Sequence, residues 1–521
     1  MQDSFSGSST RRFAARVAAL TLVFAVFASS AARGAKQYLE RATPESQGVP
    51  SEAVKKFLDE SILLPDGAEC HGVMVLRHGK VIGEAYPLPF SPDYAQTLYS
   101  CSKTFTAAAV GLAVDRNLLR VTDRVGAILP DYLPQLVSQN LADLTVADLL
   151  TMASGITPDW TMRNKSRKWG QTFLAKPIGQ PGREFAYDSM DTYLLSAIVQ
   201  RLTGRTVLEY LNEHIFGPMG IDEVQWEISP EGVNTGGWGL YVRPEVMAAF
   251  GQLLLDKGRY GERQLLSEKW VNEMMTPHRR ANAAENYGYQ MWECEHDGAW
   301  RADGAFGQYI VIVPQEDFVV VLTQASSRGA GKSLAPIWNT LLPAARAEAL
   351  PESPAATELA EHQKKYRFEP AAGARTHRNG SALQGQTYIL PHNDLEWSHL
   401  SFKFEPERLI LGVTTTGGQK YDIDCGNQRW LTVNTPVPPP YSIKAVDRFR
   451  GIDRNFAVSG SYGWLPDGTL TVHILYPSWI SGVYLTFNPK VRTMTVKQNT
   501  IAKPYTMRVD TVRKPAAKAK K

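Results

Sequence analysis

The sequence predicts an α+β protein with two domains, and three observations support this prediction. The chain has 521 residues, 43% hydrophobic and 21% charged, which is enough to bury a large core. Apolar stretches flank Arg77 to Lys80 as in a β-hairpin, a mainly helical block runs from Val121 to about Phe250, and strand-like segments follow it. We therefore expect one α+β domain over residues 40–350.

The later segments predict the rest of the fold. "GYQMWEC", "GQYIVIVP" and "DFVVVLTQ" are rich in β-branched and aromatic residues, which are typical of strands. Residues 351–378 are predicted to be a linker with some helical character. An Asp467-Gly468 turn followed by alternating apolar residues indicates a hairpin, and we expect a C-terminal β-rich domain over residues 379–507. Residues 508–521 are expected to form a disordered basic tail.

The N-terminus has the pattern of a secretory signal. Arg11, Arg12 and Arg16 precede an apolar stretch from Val17 to Ala28, and small residues follow. This predicts a signal peptide over residues 1–35 and export to the periplasm or the medium. The apolar stretch is too short for an ordinary membrane span, although an uncleaved anchor remains the alternative.

Charge and cysteine content exclude some partners and leave others open. The net charge is only +4, and part of it lies in the C-terminal tail, so no nucleic-acid partner is expected. The four cysteines form no CxxC pair, so the sequence predicts no metal site. In an oxidising compartment a disulfide is allowed, and Cys70 with Cys294 is the pair to test first because both adjoin predicted strands. Cys101 is expected to be a small buried thiol. The sequence leaves the oligomeric state open.

The segment "YSCSKTFTAAAVG" contains the candidate nucleophile. Ser100 and Lys103 form the one Ser-x-x-Lys in the chain, at the start of a predicted helix from Thr104 to Val114. A serine hydroxyl needs a base beside it, and residues three apart share one face of a helix. The alternative is a capping serine with a surface lysine one turn later.

From about residue 40 to residue 345, the chain resembles the penicillin-recognising serine hydrolases. The resemblance implies a serine β-lactamase-like fold, in which an antiparallel sheet is flanked by helices and accompanied by a helical subdomain. The family includes class C β-lactamases, cell-wall carboxypeptidases and esterases; the resemblance is closest to the branch of 6-aminohexanoate-oligomer hydrolases and esterases. In that family a Ser-x-x-Lys follows a hairpin at a helix start, as Ser100 and Lys103 do here. "DLLTMASGI" is similar to a further family segment, with Met152 in place of the usual histidine.

The family's second motif, Tyr-x-Asn, matches "FAYDSMDTYLLSAIVQ" at Tyr187, with Ser189 in place of the asparagine. The resemblance implies that Tyr187 relays a proton between Ser100, Lys103 and the leaving group, its anionic form being favoured beside an ammonium. A half-buried tyrosine at a helix start is the alternative. Ser189 is a candidate substrate-binding residue.

The third family motif, Lys-Thr-Gly or His-x-Gly, corresponds to "ADGAFGQYIVIVP", where Ala302 replaces the cation two residues before Gly304. The resemblance maps the oxyanion hole to the backbone amides of Ser100 and Ala305. Gly304 is a candidate substrate-binding residue. Trp238, in the family-like segment "NTGGWGLYVRPE", is another, with a core tryptophan as the alternative.

Together these residues imply a serine hydrolase that cleaves small ester or amide substrates through an acyl-enzyme and needs no cofactor. Because the third-motif cation is missing, β-lactams are expected to be poor substrates. The alternatives are a peptidase or carboxypeptidase acting on D-amino acids of wall peptides, and a non-catalytic binding protein on the same scaffold.

Overall fold

The computed structural model describes residues 36–65, 67–440, 445–453, 455–498 and 503–512. The predicted signal peptide, and with it the uncleaved-anchor alternative, lies outside these residues. The described chain from Tyr38 to Val512 belongs to one compact unit. In the part of the chain that is described, no helix has the length and apolar character needed to cross a membrane.

The predicted hairpin and the late strands form one antiparallel sheet of eight strands. The spatial order is β2-β1-β13-β12-β11-β10-β9-β8, so strands from both ends of the domain meet where β1 pairs with β13. The strands of this sheet are β1 (Glu69–Arg77), β2 (Lys80–Ala85), β8 (Arg279–Arg280), β9 (Asn286–Tyr287), β10 (Trp292–Glu293), β11 (Trp300–Gly304), β12 (Gln308–Val313) and β13 (Phe318–Ala325). Two small sheets accompany it, made of β3 (Gln96–Thr97), β4 (Gln225–Trp226) and β5 (Leu240–Val242), and of β6 (Arg259–Tyr260) and β7 (Arg263–Gln264).

Helices cover both faces of this sheet and form a separate helical region. All fourteen residues of α2 except its two last are buried, which fits the apolar run that predicted it. The α-helices are α1 (Ser51–Ile62), α2 (Ser102–Asp115), α3 (Val125–Ile128), α4 (Gln139–Asp143), α5 (Val146–Leu150), α6 (Met162–Lys165), α7 (Trp169–Leu174), α8 (Ser189–Thr203), α9 (Val207–Leu211), α10 (Pro244–Leu255), α11 (Glu268–Met274), α12 (Ala330–Pro336), α13 (Leu342–Ala344), α14 (Ala355–Gln363) and α15 (Gly380–Leu383). Short 3-10 helices span Glu45–Gln47, Tyr99–Cys101 and Pro130–Tyr132, and π-helical turns span Asn212–Phe216 and Ile337–Leu341.

The C-terminal region forms a second sheet that nearly closes into a barrel. Its order is β23-β22-β21-β20-β19-β17-β16-β15-β14-β24, with β18 also paired to β19. Because β23 and β24 are separated by Val509 alone, one short segment pairs with both edges of the sheet. The strands are β14 (Thr387–Ile389), β15 (Trp397–Phe404), β16 (Arg408–Thr415), β17 (Lys420–Asn427), β18 (Leu431–Thr435), β19 (Phe456–Trp464), β20 (Leu470–Leu475), β21 (Gly482–Asn488), β22 (Thr493–Gln498), β23 (Tyr505–Arg508) and β24 (Asp510–Thr511).

These sheets confirm the predicted fold class, a β-lactamase-like α+β domain followed by a β-rich domain. One predicted boundary differs from the structure. The predicted disordered tail begins too early, because β24 pairs with β14 inside it; the remainder of that tail lies outside the described residues. The predicted linker contains α14, which packs on α1: His362 and the Tyr366 hydroxyl both contact the Asp59 carboxylate.

The disulfide suggested between Cys70 and Cys294 is wrong, because all four cysteines are free and buried. Cys70 lies on β1 and Cys294 directly follows β10, and three strands separate β1 from β10 in the sheet. Four strand spacings amount to roughly 19 Å. A disulfide requires the two Cα atoms to lie within about 7 Å.

Candidate active site

Ser100 lies at the entrance of the buried helix that the sequence predicted. It is in the 3-10 helix Tyr99–Cys101, which leads directly into α2, and its side chain is half-buried. The preceding residue, Tyr99, has a φ of 46°, in the left-handed region that a bulky residue rarely adopts. Its ring packs against Phe306, with centroids 5.3 Å apart, and against Trp479 at 5.7 Å. These contacts hold the turn that presents Ser100.

Lys103 lies one helical turn after Ser100 and is almost fully buried. Its Nζ atom lies 3.0 Å from Ser100 Oγ, 2.8 Å from Ser189 Oγ and 2.7 Å from the Gly237 carbonyl oxygen. A neutral lysine amine has two N–H donors and one lone pair. The Gly237 carbonyl accepts one donor and Ser189 Oγ accepts the other, so the lone pair is left facing the hydroxyl of Ser100.

The electrostatics of the site favour this neutral form of Lys103. Burial lowers the pKa of Lys103 to about 7, while the nearby Asp188 carboxylate acts in the opposite direction and Arg163 adds to the lowering. Near neutral pH a large share of Lys103 is therefore able to accept a proton. The arrangement places a competent base directly beside a nucleophile.

Tyr187 lies beside both groups but differs from its predicted role in one respect. Burial raises the pKa of Tyr187, and the hydrogen bond with Ser100 only partly opposes this. The Lys103 Nζ atom lies 4.8 Å from the centroid of the Tyr187 ring, over its face. The sequence-based expectation that an ammonium favours the phenolate of Tyr187 does not fit this environment, because burial raises the pKa of Tyr187 and also favours the neutral form of Lys103. Tyr187 is a neutral phenol that can donate a proton.

Gly304 and Ala305 meet the nucleophile's turn at the end of β11. A Cβ atom on Gly304 would lie 2.3 Å from the Leu98 carbonyl oxygen and 3.3 Å from the Cys101 amide nitrogen, so only glycine fits there. Ala305 follows in an exposed turn, and among the described residues its amide donates no hydrogen bond. This amide is thus available, near Ser100, to an oxygen that develops negative charge.

A cleft of about 720 Å³ opens over these residues. Ser100 and Tyr187 line it together with the β11–β12 turn, and aromatic side chains form much of its remaining wall. Its lining consists of Ser100, Trp160, Tyr187, Glu285, Trp292, Arg301, Asp303, Gly304, Ala305, Phe306, Gly307, Tyr309, Ser326, Ser327, Gly329, Ala330 and Gly331. Its size is that of a small-molecule site.

Two of the predicted substrate-binding residues do not line this cleft. Ser189 is buried and contacts Lys103 instead of open space. Trp238 is 3% exposed and belongs to the core, where the Arg163 guanidinium lies 4.4 Å from its ring centroid. The Arg163 guanidinium also lies 4.4 Å from the ring centroid of Trp160. Trp160 is 41% exposed and does line the cleft. The structure thus places Trp160 where the sequence suggested Trp238.

Gly237 is a functional position that the sequence analysis missed. A Cβ atom on Gly237 would lie 2.7 Å from the Ser189 carbonyl oxygen and 2.8 Å from the Ser189 Cβ atom. This close approach brings the Gly237 carbonyl oxygen to Lys103. The pair Gly236-Gly237 is the signal that could have been used, because paired glycines mark close backbone contact.

Within the described residues, no three His, Cys, Asp or Glu side chains lie close enough together to hold a metal ion. Cys101, next to the nucleophile, is fully buried, and burial raises the pKa of its thiol. It is therefore not a competing nucleophile.

Comparison with known proteins agrees with this geometry. The family described as Beta-lactamase matches residues 62–340, more than half of the chain, and this match contains Ser100, Lys103, Tyr187 and Gly304. The chain belongs to the beta-lactamase family. Membership identifies it as a hydrolase of the active-site serine type, and α2, α8 and β11 carry the segments on which the resemblance was based.

Individual relatives are distant. The chain is 25% identical to a 6-aminohexanoate-dimer hydrolase from Paenarthrobacter ureafaciens over 280 residues, 48% of this chain and 70% of that protein. It is 24% identical to a beta-lactamase from Yersinia enterocolitica over 213 residues, 40% of this chain and 50% of that protein. A penicillin-binding protein homologue from Caulobacter crescentus superposes with a TM-score of 0.46 at 17% identity, covering 55% of this chain and 95% of that one.

Proposed function

We propose that this protein hydrolyses small ester or amide substrates through an acyl-enzyme on Ser100 and that it is a poor β-lactamase. The observation that carries the proposal is the environment of Lys103, where two acceptors occupy the N–H donors of a neutral amine and its lone pair faces Ser100. A buried lysine whose pKa is lowered to about 7, beside a serine hydroxyl in a cleft, favours a catalytic site over a protein that only binds ligands.

In the acylation step, Lys103 Nζ takes the hydroxyl proton of Ser100 while Oγ attacks the substrate carbonyl carbon. The carbonyl oxygen becomes an oxyanion that the amides of Ser100 and Ala305 stabilise. The bond to the leaving group then breaks, and the leaving oxygen or nitrogen takes a proton either directly from Lys103 or from Tyr187, which then recovers a proton from Lys103, so that Lys103 is neutral again in either case. In deacylation, Lys103 accepts a proton from water, which attacks the ester carbon, and Ser100 Oγ recovers its proton.

The charges beside β11 argue against efficient turnover of β-lactams, which carry a carboxylate. Arg301 is the one arginine that lines the cleft, and Asp303 and Glu285 both bind its guanidinium. Arg243, another possible substitute for the missing cation, does not line the cleft and contacts Tyr38. Because the positive charge of Arg301 is already neutralised, the described residues that line the cleft offer no free cation to a substrate carboxylate.

The test compares p-nitrophenyl butyrate with a chromogenic cephalosporin on one preparation, with Ser100→Ala as the blank. Losing a charge-assisted hydrogen bond costs about 1.5–3 kcal/mol, roughly ten- to a hundredfold. We expect the ester to be turned over at least ten times more efficiently than the cephalosporin. Cephalosporin turnover equal to that of the ester would contradict the second half of the proposal, and ester turnover by Ser100→Ala would contradict the first.

A further inference from the structure

The cleft beside Ser100 carries an unbalanced negative charge. Of its lining residues, three have charged side chains: Glu285, Arg301 and Asp303. Two carboxylates therefore face one guanidinium. No other lysine or arginine lines the cleft among the described residues, so its lining has one more acidic than basic side chain. Burial raises the pKa of the Asp303 carboxyl, and the adjacent Arg301 guanidinium opposes this.

The single cation is already fully engaged. Arg301 Nε donates to Asp303 Oδ2 at 2.9 Å, Nη2 donates to Glu285 Oε1 at 2.5 Å, and Nη1 donates to the Glu293 carbonyl oxygen at 2.9 Å. Its side chain is only 5% exposed, so it cannot turn toward a substrate without leaving these partners. Asp303 keeps 25% of its side-chain surface exposed, and within the described chain its second oxygen, Oδ1, has no hydrogen-bond donor.

Asp303 is also close to the reacting atoms. It directly precedes Gly304, whose Cα atom packs against the Leu98–Cys101 turn that contains the nucleophile. The rings of Trp160 and Trp292 line the same cleft. Aromatic faces attract cations, and a carboxylate beside them strengthens this attraction where water is partly excluded.

We propose that Asp303 makes the cleft selective for substrates that carry a positive charge, such as a protonated or quaternary amine, within a few bonds of the scissile carbonyl. The proposal rests on the proposed esterase or amidase function and specifies its substrate class. Asp303 acts by electrostatic attraction to the bound substrate and does not take part in bond breaking.

Isosteric ester pairs separate charge from shape. p-Nitrophenyl 4-(trimethylammonio)butanoate and p-nitrophenyl 5,5-dimethylhexanoate differ in one atom, N⁺ against C, on the acyl side. Butyrylcholine and 3,3-dimethylbutyl butyrate differ in the same way on the alcohol side. We expect the wild-type kcat/KM to favour the cationic ester of at least one pair by about tenfold, and the preference to fall as KCl is raised from 0.02 to 0.5 M.

Asp303→Asn should remove most of this preference. The matched control is Asp317→Asn, which removes the same charge from an exposed turn at the opposite end of the β12–β13 hairpin, where the φ of 57° also suits asparagine. The control should keep the wild-type preference. A preference that survives in Asp303→Asn would overturn the assignment to this residue.

The wild-type measurement alone can also overturn the proposal, even if Asp303→Asn does not fold. Equal kcat/KM values within both pairs, or a preference for the neutral esters, would show that the cleft is not selective for cations while the esterase function stands. Absence of Ser100-dependent turnover of all four esters would instead overturn the proposed function, and the selectivity with it.

Discussion

At the scale of single residues, the buried amine of Lys103 determines what the site can do. Its three oxygen neighbours come from three separate segments, the 3-10 helix before α2, the start of α8 and the loop before β5, and all lie within 3.0 Å. Because the amine is almost fully buried, its protonation state is set by these neighbours and by burial. In the proposed mechanism, Ser100 is activated only when Lys103 is neutral.

The dependence of activity on pH follows from the lowered pKa of Lys103. With a neutral ester as substrate, kcat/KM should rise with pH along a limb with an apparent pKa of about 7, because the base works only after it loses its proton. Lys103→Arg keeps the positive charge but cannot be deprotonated, and it should be inactive across the whole range. A limb centred above pH 9 in the wild-type profile would contradict the assignment.

Lys103 and Tyr187 both contact Ser100 and should act as one unit. Lys103→Ala and Tyr187→Phe should each lower kcat/KM for p-nitrophenyl butyrate by about a hundredfold or more, while thermal unfolding shows that both variants fold. Since each substitution removes part of one proton path, kcat/KM of the double variant should be scarcely lower than that of the less active single variant. Losses that multiply fully would show that the two groups work independently.

At the scale of elements, the end of β11 and the nucleophile's turn must touch for the oxyanion amides to converge. Gly304 makes this possible because its missing side chain leaves space for the Leu98 carbonyl oxygen. The two elements come from opposite ends of the domain, and the β1–β13 pairing brings them together. The geometry of the reaction thus depends on a backbone contact as well as on side chains.

Gly304→Ala tests this contact. The added Cβ atom would lie 2.3 Å from backbone and must push β11 away from Ser100, so kcat should fall about a hundred- to a thousandfold, the cost of one lost oxyanion donor. The matched control is Gly331→Ala in the same cleft, where an added Cβ atom meets nothing within 4 Å. The measurement is the steady-state kcat of both variants. Equal kcat values would show that the contact between Gly304 and the nucleophile's turn is not needed for the reaction.

The sequence could predict the elements and the side chains that carry chemistry, but not the backbone contacts. Ser100 and Lys103 are three residues apart on one helix, so local spacing alone places them together. The Gly237 carbonyl comes from 134 residues beyond Lys103 and has no side chain to mark it. The sequence also could not predict that the Trp238 side chain packs in the core while Trp160 lines the cleft. Long-range packing decides both.

At the scale of the whole molecule, the C-terminal domain packs against the turn that precedes Ser100. The loop between β20 and β21 brings Trp479 against Tyr99. Tyr241 of β5 stacks on the Trp479 ring, with the two ring centroids 6.1 Å apart. Backbone contacts reinforce this, since the Thr97 amide donates to the Ser478 carbonyl oxygen. The second domain is therefore part of the structure that holds Ser100 in place.

Trp479→Ala should lower both stability and kcat. Removing a buried tryptophan costs about 3–5 kcal/mol of unfolding free energy, and Tyr99 loses a contact that holds its left-handed backbone. Trp464→Ala is the matched control, because Trp464 is equally buried in the same domain but packs on His377 and Phe404, away from Ser100. At a temperature where both variants are folded, only Trp479→Ala should show a reduced kcat. An equal reduction in both would indicate a general loss of stability.

The central claim is that Ser100 is the nucleophile, and covalent labelling measures it most directly. The wild-type protein is incubated with a fluorophosphonate, and intact mass and peptide mapping locate the adduct. Ser327→Ala serves as the control, because Ser327 is another exposed serine of the same cleft. We predict one adduct per chain, on Ser100, in the wild type and in Ser327→Ala, and none in Ser100→Ala. An adduct that persists in Ser100→Ala, or that maps to another residue in the wild type, would contradict the account.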